Sequence, residues 1–572
     1  MATARHFLLV LASLQSFASS AQYKYVDGAS GSDANDGLSV TTAWATIQKA
    51  FDSSVWGDSV FIRGGTYVEH PVLNVSNVYF RNFPGEQVFI DGDPSLGSTI
   101  ITIEGHYHIT IKGLTIQGLI TAGAIGILIW GGEQGMVQNV LLDSIEVTGI
   151  GWTDDAAAIP GPDDNAQPIV VLGEVNAVFN PQVRNSRVHN NITGYSEAIA
   201  FDGFVSNFDV IGCEVFDNTN IGICAGGNYD VFATPELDHS NYGRIMDNHC
   251  WNNVSPYATS AGIYVDGGWN TTIERNVCEG NGYGIEIGCE ENGTTENIQV
   301  LDNVVRFNHG AGLAIGGYTE ATTGQVLGCS VRNNTFFSND MDGTGSGELY
   351  ITKASDCEFY NNVFHTSEQN ILLTREDISP QSGNALDYNG WYVPSGHAVD
   401  TESDWGGTTI TGFSDYQTTS GWDAHGFFAD PLFVDVASDP PDLTLQWNSP
   451  CIDVSDPSTF ILPGEQDAAG LPRLNGPLVD LGAYEYQNFL AIPASDMDHL
   501  LFTPNPFSEG LQLIEPSIGS RLELLDMSGR VMMSDLVPMD GAVDTRCLSS
   551  DMYVARLTST SGSVLFQCVI KR

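Results

Sequence analysis

Asp266 and Glu286 are the residues whose type and spacing point most directly to chemistry. Each sits in a Gly-Ile strand: Gly262-Ile263-Tyr264-Val265-Asp266-Gly267, then Gly284-Ile285-Glu286-Ile287-Gly288-Cys289. Two carboxyls held close together can serve as nucleophile and general acid/base, the equipment of glycoside hydrolysis. A second constellation is Lys353 and Arg375, which follow Glu348 and can supply a base for a proton α to a carboxylate and a cation to neutralise that carboxylate. Plainer readings stand beside both: Asp266 caps the Gly267-Gly268 turn, and Lys353 and Arg375 are a surface charge pair.

What must position these groups is a repeat. Hexamers align from Ser186: SRVHNN (186), CEVFDN (213), NHCWNN (248), NVCEGN (276), NVVRFN (303), NTFFSN (334) and NVFHTS (362), with successive starts 27, 35, 28, 27, 31 and 28 residues apart. One supersecondary unit at this period means a solenoid, and here each unit is strand-turn-strand. Asn fills the first column at 248, 276, 303, 334 and 362 and the last at 191, 218, 253, 281, 308 and 339. Asn tolerates left-handed backbone, and stacked amides can bond one coil away at about 4.8 Å. The third column (Val188, Val215, Cys250, Cys278, Val305, Phe336, Phe364) faces the core. Cys250 with Cys278, and Cys329 with Cys357, are therefore core thiols or bridges between coils.

The second strand of each coil aligns as AIAFDG (198), GICAGG (222), GIYVDG (262), GIEIGC (284), GLAIGG (312), ELYITK (348) and NILLTR (370). Alternation puts Asp202, Asp266 and Glu286 on one outward face beside glycines, with Tyr264, Trp269 and Glu290 close by as substrate-binding candidates. Asp266 and Glu286 lie one coil and two residues apart, which places their Cα atoms roughly 8 Å apart. Tyr264 and the acidic neighbours should raise the Glu286 pKa. In this register Lys353 and Arg375 share one column.

Composition bounds the rest. Arg5 and His6 before FLLVLASL, with Ser19 and Ala21 ahead of Gln22, read as a secretory signal peptide over 1–21. No later stretch is long and apolar enough for a membrane span. The net charge of -49, with few lysines, repels nucleic acid and bare polyanions; a neutral glycan or a divalent cation suits such a field better. No cofactor is called for. Ca²⁺ can be held by the acidic face or by Asp33, Asn35 and Asp36, although a turn explains those three as well.

Domain boundaries follow from where the pattern starts and stops. Residues 22–429 form an all-β parallel β-helix whose start, with a short helix in AWATIQKAF, resembles the N-terminal cap of right-handed parallel β-helix (pectin-lyase-like) proteins. Residues 430–487 resemble the closing segment of such proteins, and Asp467, Asp480 and Glu485 within it read as turn caps. Residues 488–499 are a polar linker. Residues 500–572 carry strands at β-sandwich spacing, with Pro504-Asn505-Pro506-Phe507, Asp526-x-x-Gly529-Arg530, Tyr553 and a terminal basic pair. They resemble the C-terminal sorting domain of the type IX secretion system of the Bacteroidetes, which implies export through that machinery and an extracellular or cell-surface location. Cys547 and Cys568 can bridge two of its strands.

The Asp266 and Glu286 strands resemble the catalytic strands of glycoside hydrolase family 120, which implies Asp266 as nucleophile and Glu286 as acid/base. Lys353 and Arg375 resemble the base and acid of polysaccharide lyase family 6, which binds Ca²⁺, although Glu376-Asp377 follow Arg375 where that family has His-Gly. Three functions result: a glycoside hydrolase on a polysaccharide, a calcium-dependent lyase, or a non-enzymatic glycan-binding surface protein.

Overall fold

The computed structural model describes residues 21–487 except Asp163 and 319–321. Within 502–571 it describes the strands and short segments beside them. The signal peptide, the linker, the Pro504–Phe507 and Asp526–Gly529 motifs and the Cys568 side chain lie outside the described residues. Residues up to Tyr486 and those from Gln487 on form two compact units.

The first unit is a parallel β-helix. Its large sheet is built almost wholly of parallel pairings between successive coils; Ile263 pairs with Ile223 on one side and with Ile285 on the other. The inward column is as expected. Val188, Val215, Cys250, Cys278, Val305, Phe336 and Phe364 follow one another in register and all are fully buried. Phe336, Phe364 and Trp391 continue it as stacked rings with centroids 4.9 and 4.1 Å apart. Cys250, Cys278, Cys329 and Cys357 are free buried thiols, and Cys547 is free and exposed.

Both asparagine ladders are present. From Asn191 to Asn339 each Nδ2 donates to the next Oδ1 at 2.7–3.2 Å. From Asn248 to Asn389 the corresponding bonds are 2.9–3.1 Å. The left-handed residue, however, is the one before each ladder Asn: Asp217, Asn252, Phe307 and Ser338 in one ladder, Asp247, Arg275 and Asp302 in the other. That single αL residue turns the chain and delivers the following amide into the interior. There it satisfies backbone carbonyls as well, such as Asn281 Nδ2 to Cys250 O at 3.0 Å.

Helix Ile47–Ser53 closes the N-terminal end, burying Ile47, Ala50 and Phe51. Thr46 caps it through Lys49 N, and Glu69 accepts from Ile47 N and Gln48 N. Asp33 accepts from Ala45 N and Thr46 N, and Asp36 from Leu38 N, so these acids organise turns. At the other end helix Phe413–Ser420 packs Phe413 and Tyr416 on the core. Segment 430–486, the expected C-terminal cap, packs against the coils. Its Phe433, Leu443, Leu445, Cys451, Leu481 and Ala483 cluster with Val304, Phe337 and Val363, on the outer flank of the coils. The fully buried Arg473 reaches Asp302 there at 3.1 Å.

The second unit consists of two antiparallel sheets, one with strands Phe502–Thr503, Gly510–Leu513 and Ala542–Asp544, the other with Arg521–Leu525, Val531–Leu536, Met552–Thr558 and Val564–Ile570. They enclose Leu511, Leu522, Leu524, Val543, Tyr553 and Val569.

Candidate functional site

The strands Ile192–Ser206, Thr219–Gly226, Ala261–Asp266 and Tyr283–Gly288 lie side by side. The register places Ala200, Cys224, Tyr264, Glu286, Ala314 and Tyr350 in one outward column, with Asp266 opposite Gly226 and Gly288. Over this face opens a cleft of about 710 Å³ that brings together Asp202, Asp266, Glu286, Glu290 and Tyr264. Two of the glycines that flank the acids are filled rather than vacant. A Cβ at Gly226 would meet Asp202 Oδ1 at 2.2 Å, and one at Gly288 would meet the Tyr264 hydroxyl at 2.7 Å. The glycines therefore make room for the site's own side chains.

Asp266 is held on both oxygens. Its Oδ1 accepts from Glu290 N at 2.7 Å, and its Oδ2 accepts from the Tyr229 hydroxyl. Burial and the neighbouring Glu290 carboxylate nevertheless push its pKa up to about 7. No donor among the described residues reaches the Glu286 carboxyl, and burial, Glu290 and Asp266 push it up to about 8. Burial, with Asp238, raises Asp202 to about 6. Glu290 stands at the exposed rim, also raised by burial, with the Tyr264 hydroxyl 3.5 Å from its Oε1.

Several lining residues were not legible in the repeat. Glu197, pushed well above the usual carboxylate range by burial and by Asp202, Asp266 and Glu290, lies just before the aligned hexamer of its strand. Tyr229 comes from an insertion, and the long 35-residue interval between the 213 and 248 hexamers was its signal. Asn220, Tyr195, Tyr283 and Tyr318 also line the cleft.

Trp269 is not among the cleft-lining residues. Its ring stacks on His239 at 3.8 Å and its indole N–H donates to Thr294 O at 2.9 Å, so it packs the turn after the Asp266 strand. The lyase constellation also comes apart. Arg375 pairs with Ile351 and Thr374 with Tyr350, two residues out of the expected register. Lys353, nearly buried, donates from Nζ to Thr323 O at 2.6 Å; the Arg375 guanidinium lies 4.9 Å over Trp405. Glu348 is fully buried and ends an asparagine ladder, accepting from Asn339 N and Nδ2 at 2.9 and 2.6 Å. Neither cation lines the cleft. Among the described residues no three acidic, His or Cys side chains converge as a metal-holding group, so no Ca²⁺ ligand set can be named. No described helix is long and apolar enough to cross a membrane.

Residues 233–336 match the family model described as the right handed beta helix region. The uncharacterized protein YwoF of Bacillus subtilis (strain 168) is 30% identical over 462 residues, covering 75% of this chain and 92% of that protein. Among solved structures, the chain is similar to pectate lyase Pel9A at 14% identity and TM-score 0.43, covering 82% of this chain and 97% of that one. It is similar to the A-module of the mannuronan C-5 epimerase AlgE4 of Azotobacter vinelandii at 13% identity and TM-score 0.42, covering 66% and 95%.

Proposed function

This chain belongs to the family of the Bacillus subtilis protein YwoF, and from that premise we propose that it is an exported glycoside hydrolase acting on a polysaccharide, with Asp266 as nucleophile and Glu286 as general acid/base. One observation carries the reading: the two carboxyls share a cleft but not an environment. Asp266, with a donor on each oxygen, ionises first and is aimed. Glu286, with no such donor, keeps its proton to a higher pH. Asp266 then attacks the anomeric carbon while Glu286 protonates the departing oxygen. In the second half Glu286 takes a proton from the water that releases the glycosyl group.

The acidic lining favours a glycan without uronates, because each uronate would add a negative charge to an already repulsive cluster. The C-terminal unit, on its resemblance to the type IX sorting domain, serves export. The test is to incubate the full chain and its Asp266→Asn variant with a panel of neutral, amino and uronic polysaccharides. New reducing ends without the ultraviolet absorbance of an unsaturated uronate, lost in the variant, support hydrolysis. Unsaturated products would sink it in favour of elimination. Binding without turnover on every substrate would leave a glycan-binding protein.

A further inference from the structure

The catalytic pair uses two of the five carboxyls that line the cleft, leaving Glu197, Asp202 and Glu290 without a role. Glu197 and Asp202 lie on one strand, and Asp202 extends over Gly226. Glu197 pairs in register with Ile221, so Asn220 comes from the neighbouring coil directly beside it. Asn220 is 3% exposed and holds a left-handed φ of 88°. Its Nδ2 donates to Ser196 O at 3.1 Å, which fixes the amide, and its Oδ1 has no hydrogen-bond partner. A buried acceptor left unpaired costs about 1–3 kcal/mol unless something arrives to donate to it.

We propose that Glu197, Asp202 and Asn220 form a subsite for a protonated amino group on the sugar, so that the glycan this cleft takes carries free amines. The inference rests on the hydrolase reading of the same cleft. These residues offer two carboxyls and a carbonyl, all acceptors when the acids are ionised, and an ammonium is donor-only with three hydrogens. No Lys, Arg or His is found among the described residues that line the cleft, so nothing within it neutralises the acids. Tyr195, Tyr229 and Tyr264 also line the cleft, and aromatic rings beside a cation favour it over a neutral hydroxyl. Glu197 faces Asp202, Asp266 and Glu290, and Asp202 faces Asp238; this crowding and burial raise both acids, and an incoming ammonium would shift them back toward the ionised form with release of protons.

The test is calorimetry on the full chain at pH 7 with the fully deacetylated trimer of 2-amino-2-deoxyglucose, its N-acetylated counterpart and a neutral glucan trimer. Measurements in buffers of different ionisation enthalpy count protons released. The expected result is binding of the amine trimer at least tenfold tighter than either other trimer, with proton release for it alone. Glu197→Gln should remove both the preference and the release. Asn220→Ala should weaken the amine trimer severalfold and leave the glucan trimer unaffected. Equal affinity for the amine and acetylated trimers, binding of neither, or an amine preference untouched by Glu197→Gln would overturn the subsite. Tight amine binding with no cleavage of longer amine-bearing chains would instead sink the hydrolase reading and leave the subsite standing.

Discussion

Replacing Asp266 by Asn should abolish hydrolysis and stabilise the protein, and the stabilisation should grow with pH. Asp266 is 3% exposed, and its pKa rises from 3.8 to about 7 on folding. A carboxyl raised by folding binds more protons in the native state than in the unfolded one between those two values. Stability therefore falls as pH rises through that window, and the full cost is reached above about 7. At 1.36 kcal/mol per unit, a shift of about 3 units is worth about 4 kcal/mol as an upper bound. By pH 5 little more than a third of that cost has accrued, so the gap between variant and parent should widen by about 2–3 kcal/mol from pH 5 to pH 8. Asn keeps the shape and an acceptor for either Tyr229 or the Glu290 N–H. The other buried acids titrate in both proteins, so distant ones cancel in the comparison. Calorimetric melts of both proteins at the two pH values give the answer. A gap that does not change with pH, or an Asn variant less stable than the parent at pH 8, would refute the electrostatic picture of the site.

Three further outcomes follow from the same geometry. The kcat/KM profile should be a narrow bell, rising as Asp266 ionises near pH 7 and falling as Glu286 loses its proton near pH 8; an optimum near pH 5 would refute the raised titration of the pair. Tyr229→Phe removes a hydrogen bond to a charged oxygen, worth about 1.5–3 kcal/mol, so kcat should drop roughly 10- to 100-fold with the acidic limb moved upward. An unchanged kcat would make Tyr229 a wall of the cleft only. Asn281→Ala strips the acceptor from Asn253 N and Nδ2 and the donor from Asn308 Oδ1 and Cys250 O, and should destabilise the first unit by about 3–5 kcal/mol in thermal melts.

The periodic part of the chain was readable because a solenoid repeats its physics. One inward column must stay apolar and one polar column must satisfy its own amides, so Val188 to Phe364 and both ladders stand out in the sequence. The outward column through Tyr350 followed from the same register. The register set by Asn370 differs from the one found, which places Arg375 on Ile351, because a two-residue slip preserves the alternation of faces. Outward apolar residues such as Val304 and Phe337 need a cover, and segment 430–486 supplies it. The site divides in the same way. Asp202, Tyr264, Asp266 and Glu286 were found through the repeat. Glu197, Asn220 and Tyr229 come from bulges and an insertion, where periodicity carries no information.

The asparagine ladders have a direction. Along each row every Nδ2 donates to the next amide toward the C-terminal end, so the row is a one-way relay that must finish on an acceptor other than another Asn of the row. One row finishes on Glu348 and the other on Asp423, which takes Asn389 Nδ2 at 2.9 Å, together with Trp391 Nε1 and the Tyr416 hydroxyl. Such a molecule can lengthen by duplicating a coil within the row, since a new Asn both receives and passes on a bond. A row cannot lengthen beyond its terminal acid without moving that acid as well. The two carboxyls thus end their own rows and not the solenoid: coils continue past Glu348 through Phe364 and Trp391, carried there by the row that ends on Asp423.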